Sequence, residues 1–364
     1  MTATKGKKTR GNKRVPIPLE SVKAADDIWR QNPELIRQFL GIRHDYEQLC
    51  AEVEYILRKK IAGQNIETSS ITSRAKTLNS FLEKLQRKHY DAPFTQLTDL
   101  AGVRVVCLYR SDIAKVTDII RSDFVVVEDV DKTSELRVDQ FGYGARHFIV
   151  RLGKTSSGAR YDDLKQLVCE IQVRTVVQDA WAIIQHHMVY KRESQVPSQL
   201  QRKLNSLAGL FETVDDQFER IREDREAYVV ELRGSADTGS AFLENELNLD
   251  SFKEYLTWRF PKRAIEAFGG QARMVLDGLT TVGCKTLRHV EDMVKKTDGA
   301  RGPLLKALET DANIRKADDG TVPSNLEVAL ALTLSSRDWA ELVPWGQEWE
   351  AIIRKHLKEQ NHAG

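Results

Sequence analysis

Apolar positions along this chain change their period several times, and the changes divide it into regions of helical and strand-like character. From about residue 24 to residue 60, Ile28, Leu35, Phe39, Tyr46, Leu49, Val53, Ile56 and Leu57 recur largely every three or four places, the spacing of one helix face. A break near Gly41 divides this stretch into two predicted helices. A loop holding Gly63 and Asn65 then leads to Ile71, and residues 79–88 predict another amphipathic helix. Compact runs rich in β-branched residues follow at 103–108, 124–130, 148–152 and 168–173, with helical spacing at 113–120 and 176–190. That order fits a mixed β-sheet flanked by helices, an α/β (mixed α+β) class, and excludes an all-helical fold.

Residues 204–230 return to a long helical pattern, and hydrophobic periodicity is lost around Gly234 to Gly239. Beyond Phe242, helical runs alternate with Pro261, Gly269, Gly283, Gly299, Pro303, Gly320 and Pro323, which predicts a small helical domain. The expected organisation is a flexible basic tail at 1–20, a main domain with flanking helices at 21–232 and a helical regulatory or interaction domain at 240–358. Trp339, Trp345 and Trp349 read as core or partner-packing surface rather than a cofactor box.

Composition narrows the function classes. The 364 residues are 41% hydrophobic and 30% charged with a formal charge of +2, enough for a core and too balanced for a protein that coats nucleic acid with its whole surface. Lys5, Lys7, Lys8, Arg10, Lys13 and Arg14 concentrate positive charge near the start, as either a solvated tail or a polyanion contact. Cys50, Cys107, Cys169 and Cys284 are far apart and lack metal-ligand spacing, so a reducing cytoplasm is expected. Neither a signal peptide nor a membrane span is apparent, and a soluble protein with no membrane partner is expected.

The candidate chemistry lies at the strand boundaries. Asp99 stands just before Leu100-Ala101-Gly102, and Glu170 sits inside Cys169-Glu170-Ile171-Gln172-Val173-Arg174. Ionised carboxylates among β-branched residues need compensation by solvent, cations or donors, which points to a cleft. Two converging carboxylates suit magnesium together with polyphosphate oxygens; strand-edge salt bridges to Arg104 and Arg174 are the alternative. Upstream, Ser80 and Lys84 share a helix face by their spacing of four, and Arg74 and Lys76 precede them on an extended segment, a set suited to phosphates.

Gly142 and Gly144 flank Tyr143, which a tight turn would free to stack on a base, and His147 follows as a phosphate-orienting or structural histidine. Gln172 and Arg174 alternate onto the face of Glu170 if this run is a strand. Gln178, Trp181, Gln185 and His186 follow at helical spacing, Trp181 packing while the polar groups support the cleft. Neither the phosphate loop ending in Gly-Lys-Ser/Thr nor the dinucleotide glycine motif is present at this turn.

Arg74/Lys76/Ser80/Lys84, Asp99 through Arg104, Gly142-Tyr143 through His147, and Glu170 through Thr175, in that order, resemble the synthetase domain of the RelA/SpoT family over roughly residues 40 to 195. The resemblance implies a nucleotidyltransferase-like synthetase fold and a pyrophosphokinase that moves the β,γ-pyrophosphate of ATP to the ribose 3′-hydroxyl of GDP or GTP, making (p)ppGpp and AMP. It implies Arg74, Lys76 and Lys84 on the ATP phosphates with Ser80 in support, Arg104 on the ATP side, and Asp99 and Glu170 as Mg2+ ligands. Glu170 would also take the hydroxyl proton. Tyr143 would stack on guanine, while Gln172, Arg174 and His147 would organise the acceptor.

Asp139 departs from the family pattern, standing where a lysine commonly precedes the Gly-Tyr turn, and Arg137 or Arg146 would have to compensate. Small toxic relatives modify the 3′-terminal adenosine of tRNA, so tRNA stands as the second acceptor. An inactive nucleotide-binding regulator is the third reading. The short N-terminus leaves no room for the family's hydrolase domain, and no hydrolase activity is expected. A protein partner or homo-oligomer would use the C-terminal domain.

Overall fold

A computed structural model describes residues 32–88, 90–132, 144–188, 198–236, 239–265, 270–311, 321–336, 342–343 and 345–362. The chain divides into two compact units, Met1–Arg220 and Ile221–Gly364.

The first unit begins with α1 (Pro33–Gly63), whose buried face carries Ile36, Phe39, Tyr46, Leu49, Val53, Leu57 and Ile61. The predicted break at Gly41 does not occur. Glycine in a helix interior costs about 1 kcal/mol against alanine, and the apolar face packed on both sides of exposed Gly41 outweighs it. Then come β1 (Thr68–Ala75), α2 (Leu78–Arg87), the single turn α3 (Pro93–Gln96), β2 (Ala101–Cys107), α4 (Arg110–Asp123) and β3 (Phe124–Asp131). After β4 (Arg146–Leu152) and β5 (Cys169–Thr175), the unit continues into α5 (Val176–Met188) and α6 (Ser198–Ala236).

The five strands form one sheet in the order β1-β2-β5-β4-β3. Only the central β2–β5 pair is parallel; the other pairs are antiparallel. Alternation gives the sheet two unlike faces. Val103, Val105, Phe148, Val150, Ile171 and Val173 point to a core shared with α1 and with Val116, Ile119 and Ile120 of α4. The opposite face carries Gly102 and Arg104 of β2 and Glu170, Gln172 and Arg174 of β5. β1 lies at the sheet's edge and contributes Ile71 as its one fully buried apolar side chain, which is why hydrophobic patterning shows only an extended segment there.

Beside this core, Val177 and Trp181 of α5 form a separate cluster with Leu204 and Ala208 of α6, and Trp181 meets Phe211 edge-on at 5.7 Å. All four cysteines are free and buried, and burial pushes the Cys107 thiol up to about 12, the behaviour of a small core hydrophobe.

The described part of the second unit is helical beyond α6: α7 (Ser240–Leu243), α8 (Leu249–Arg259), α9 (Gln271–Thr281), α10 (Leu287–Thr310), α11 (Ser324–Ser335) and α12 (Gln347–His362). Ser324 through Thr333 of α11 are all buried, so this helix is enclosed on every side by its neighbours. Gly278 permits a close approach: a Cβ there would lie 2.8 Å from the Leu342 carbonyl oxygen and 2.9 Å from Leu332 Cδ2. Trp345 and Trp349 stack at 5.6 Å and pack against this core, whereas Trp339 lies outside the described residues. Among the described residues, no helix is long and apolar enough to cross a membrane.

Candidate active site

Strand register assembles the site. Arg74 pairs with Gly102, and Gly102 with Glu170, so these three form one row across β1, β2 and β5. Thr72, Arg104, Gln172 and His147 form the next row, ending on β4. Gly102 places no side chain between Arg74 and Glu170, and the gap contributes to a cavity of about 210 Å³. Arg74, Lys76, Ser80, Asp99, Arg104, Glu170 and Gln172 all line it, together with Thr72, Ser73, Thr77, Gly102 and Val103.

The basic side follows from local turn chemistry. The Thr77 hydroxyl accepts from the Ser80 backbone N–H at 3.3 Å and caps α2, so Ser80 falls in the first turn and Lys84 one turn later. Lys76, just before the cap, is fixed by its backbone N–H donating to the Leu100 carbonyl at 2.8 Å. Both ammonium groups then reach one oxygen of Asp99: Lys76 Nζ at 2.6 Å and Lys84 Nζ at 2.7 Å from Oδ2. Burial acts to raise the Asp99 carboxyl, but the hydrogen bonds and charges of the two lysines outweigh it and hold it below the usual range. Asp99 is therefore ionised at neutral pH.

Glu170 is held differently. His147 Nδ1 lies 2.9 Å from Oε1, and Gln172 Nε2 donates to Oε2 at 2.9 Å. Burial and the negative charge of Asp99 push this carboxyl up, while His147 and Gln172 pull it further down, leaving it below the ordinary glutamate value. Gln172 Oε1 accepts in turn from Arg174 Nη2. Glu170, Gln172 and Arg174 thus share one face of β5, as their alternation predicts.

The strand-edge pairs set against the cleft reading do not form among these residues: Arg104 and Arg174 engage Asp179 instead, at 3.1 and 3.5 Å. Thr175 and Gln178 build a capping box at the start of α5, with Thr175 N–H donating to Gln178 Oε1 at 2.8 Å and Gln178 N–H to Thr175 Oγ1 at 3.1 Å. That box puts Asp179 beside both guanidiniums. Asp179 is a further residue of the site, and its sequence signal is an acid in the first turn of the helix that follows an Arg-bearing strand.

Lys84, His147 and Arg174 do not line the cavity but hold residues that do. Tyr143, Arg137 and Asp139 lie outside the described residues, as do the side chains of His186 and His187. Arg146 alternates to the opposite face from His147: it lies 5.4 Å over the Phe148 ring and donates to Asp129 at 2.8 and 3.1 Å. It therefore does not supply the positive group that Asp139 leaves out.

The donor set suits a hard divalent cation. Asp99 Oδ1 is buried with no hydrogen-bond partner among the described residues, and Glu170 lines the same cavity on the adjoining strand. The described residues hold no group of three His, Cys, Asp or Glu able to ligate a metal. A pair of carboxylates completed by phosphate oxygens and water is what magnesium uses with nucleotide substrates.

Known proteins resemble this chain in sequence. Residues 73–195 match the model of the region found in RelA / SpoT proteins. The chain is 30% identical over 195 residues to GTP pyrophosphokinase YjbM of Bacillus subtilis (strain 168), covering 52% of this chain and 82% of that protein. It is 27% identical over 215 residues to GTP pyrophosphokinase YwaC of the same organism, covering 57% of this chain and 96% of that one. A crystal structure of small alarmone synthetase 1 from Bacillus subtilis, bound to its product pppGpp, aligns with a TM-score of 0.44 at 26% identity over 52% of this chain and 98% of that one. On these sequence matches, and with its motifs in the family's order, the chain belongs to the RelA/SpoT family.

Proposed function

We propose that this chain is a magnesium-dependent pyrophosphokinase that transfers the β,γ-pyrophosphate of ATP to the ribose 3′-hydroxyl of GDP or GTP. The observation that carries this reading is the convergence of Asp99 and Glu170 on a cavity also lined by Arg74, Lys76 and Arg104. Its relatives YjbM and YwaC bear the name GTP pyrophosphokinase.

The acceptor hydroxyl oxygen attacks the β-phosphorus, the bond from that phosphorus to the oxygen bridging the α-phosphate breaks, and AMP leaves. Glu170, ionised and fixed by His147 and Gln172, orients the hydroxyl and takes its proton. Arg74, Lys76, Lys84 and Arg104 bind the triphosphate and offset charge on the transferring group, with Ser80 in support. Asp99 and Glu170 would hold magnesium, which supplies charge neutralisation at the phosphate oxygens. Tyr143 takes the guanine base, and Gln172 and Arg174 keep Glu170 in register. A cytoplasmic setting, where ATP and guanine nucleotides are available, suits the reaction, and the helical second unit is assigned a regulatory or interaction role.

One observation favours a second acceptor, the 3′-terminal adenosine of tRNA. Asp139 replaces the family's lysine, and Arg146 is committed to Asp129 on the other face, which removes one grip on a free nucleotide's 5′-diphosphate. Incubation of the full chain with magnesium and ATP labelled in its terminal phosphates, offering GDP, GTP, GMP and tRNA separately, decides between them. Label on GDP or GTP with matching AMP is the expected result. Label on tRNA alone establishes the second reading, and nucleotide binding with neither label nor AMP leaves an inactive regulator.

A further inference from the structure

Asp179 lies outside the cavity, yet one of its oxygens reaches two of the arginines that serve it. Asp179 Oδ1 is 3.1 Å from Arg104 Nη1 on β2 and 3.5 Å from Arg174 Nη1 on β5. Those guanidiniums share a sheet face and repel each other, and Arg174 is buried at 6% exposure. Burial first, then the charge of Arg104, pull Arg174 down to about 10, while Asp179 acts in the opposite direction. Both Nε atoms are buried without hydrogen-bond partners among the described residues, so orientation of each guanidinium rests on its terminal nitrogens. From Arg174 the chain of bonds continues through Gln172 to Glu170.

We propose that Asp179 is a positioning residue for the transfer reaction, holding Arg104 toward the phosphate cavity and Arg174 beneath Gln172 so that Glu170 is presented at a fixed angle. This rests on the pyrophosphokinase reading above. An aspartate in the first turn of a helix also favours the helix dipole, which would by itself affect stability and not turnover.

The test compares Asp179→Asn, Asp179→Glu, Arg104→Ala and the double variant Asp179→Asn/Arg104→Ala in the full chain. The readings are AMP release, affinity for a non-hydrolysable ATP analogue and thermal unfolding. Asp179→Asn is expected to lower kcat by about 10- to 100-fold, the scale of an ångström-level misplacement, and to weaken analogue binding, while unfolding stays cooperative at a lower midpoint because Arg174 loses its counter-charge. Asp179→Glu, which keeps the charge, is expected to recover part of the loss. The double variant is expected to be somewhat worse than Arg104→Ala, through the Arg174 branch, but to lose clearly less than the product of the two single losses, because Arg104 is one of the two groups that Asp179 orients. Turnover within about twofold of the unsubstituted chain for Asp179→Asn, or losses that multiply in the double variant, overturns the inference. An unsubstituted chain that releases no AMP overturns the pyrophosphokinase reading instead, and positioning is then decided by whether Asp179→Asn weakens the analogue.

Discussion

His147 Nδ1 and Glu170 Oε1 stand 2.9 Å apart across the β4–β5 ladder, and this contact helps keep the Glu170 carboxyl below its ordinary range. Glu170→Gln keeps the shape and removes both proton acceptor and charge. Transfer is expected to fall by at least about 100-fold, the usual worth of a general base, with the unfolding transition preserved. His147→Ala releases the carboxyl upward, so on acidification its proton returns at a higher pH. The acidic limb of the kcat/KM profile, followed by AMP release, is expected to move up; an unmoved limb would place proton transfer elsewhere.

Asp99 both anchors the lysines and competes for them. Its Oδ2 is paired with both Lys76 and Lys84, which the proposed triphosphate site also uses. Asp99→Asn is expected to bind ATP more tightly in chelator, by about 3- to 10-fold, because partly exposed ion pairs of this kind are worth about 1 kcal/mol. The same variant is expected to lose transfer and most of the magnesium dependence of binding. Calorimetric titration with and without magnesium checks this, and weaker ATP binding in both conditions would contradict the competition.

Gly102 keeps the floor of the cavity open. A Cβ there would lie 3.9 Å from the Arg74 carbonyl oxygen and 4.0 Å from that of Glu170, ordinary contacts, so Gly102→Ala is accommodated by the backbone. Loss of glycine's freedom in the unfolded chain stabilises by about 0.4–1 kcal/mol where the native conformation is compatible. The expected outcome is a melting temperature held or raised, with turnover reduced by at least about tenfold as the methyl enters the space beside the transferring group. A drop in stability with unchanged turnover would mean that the gap at Gly102 is not where substrate sits.

Much of the catalytic face was legible because its residues sit on regular periods. Glu170, Gln172 and Arg174 alternate on a strand, and Ser80 and Lys84 share a helix face. Asp99 was legible as a charge beside an apolar run, but its two lysine partners were not, since they converge through a backbone turn closed by Lys76 N–H and Leu100 O. β1 escaped because an edge strand facing a polar cavity has little hydrophobic alternation to read. Asp179 escaped because its partners lie on two strands, and only the parallel register of β2 with β5 brings them together. The continuity of α1 through Gly41 was hidden because local propensity argues for a break that tertiary packing overrides.

Asp215 on α6 supplies a stability test independent of catalysis. It is buried at 1% exposure, accepts a hydrogen bond from Thr175 Oγ1 at 2.7 Å through Oδ2, and leaves Oδ1 unpartnered among the described residues. Burial raises its carboxyl to about 7; Arg110 opposes this, and Asp216 and Glu219 add to it. In the unfolded chain the same group titrates near about 3.9. Between these values the folded state binds the extra proton, so the contribution of Asp215 to stability falls as pH rises from about 4 and is fully unfavourable above about 7. Asp215→Asn keeps an acceptor for Thr175 and removes the buried charge. Its melting temperature is expected to exceed that of the unsubstituted chain by roughly 2–8 °C above neutrality and to converge with it in mild acid. A difference that stays constant with pH, or a variant less stable at alkaline pH, would show that Asp215 remains charged in the fold with a partner strong enough to hold it so.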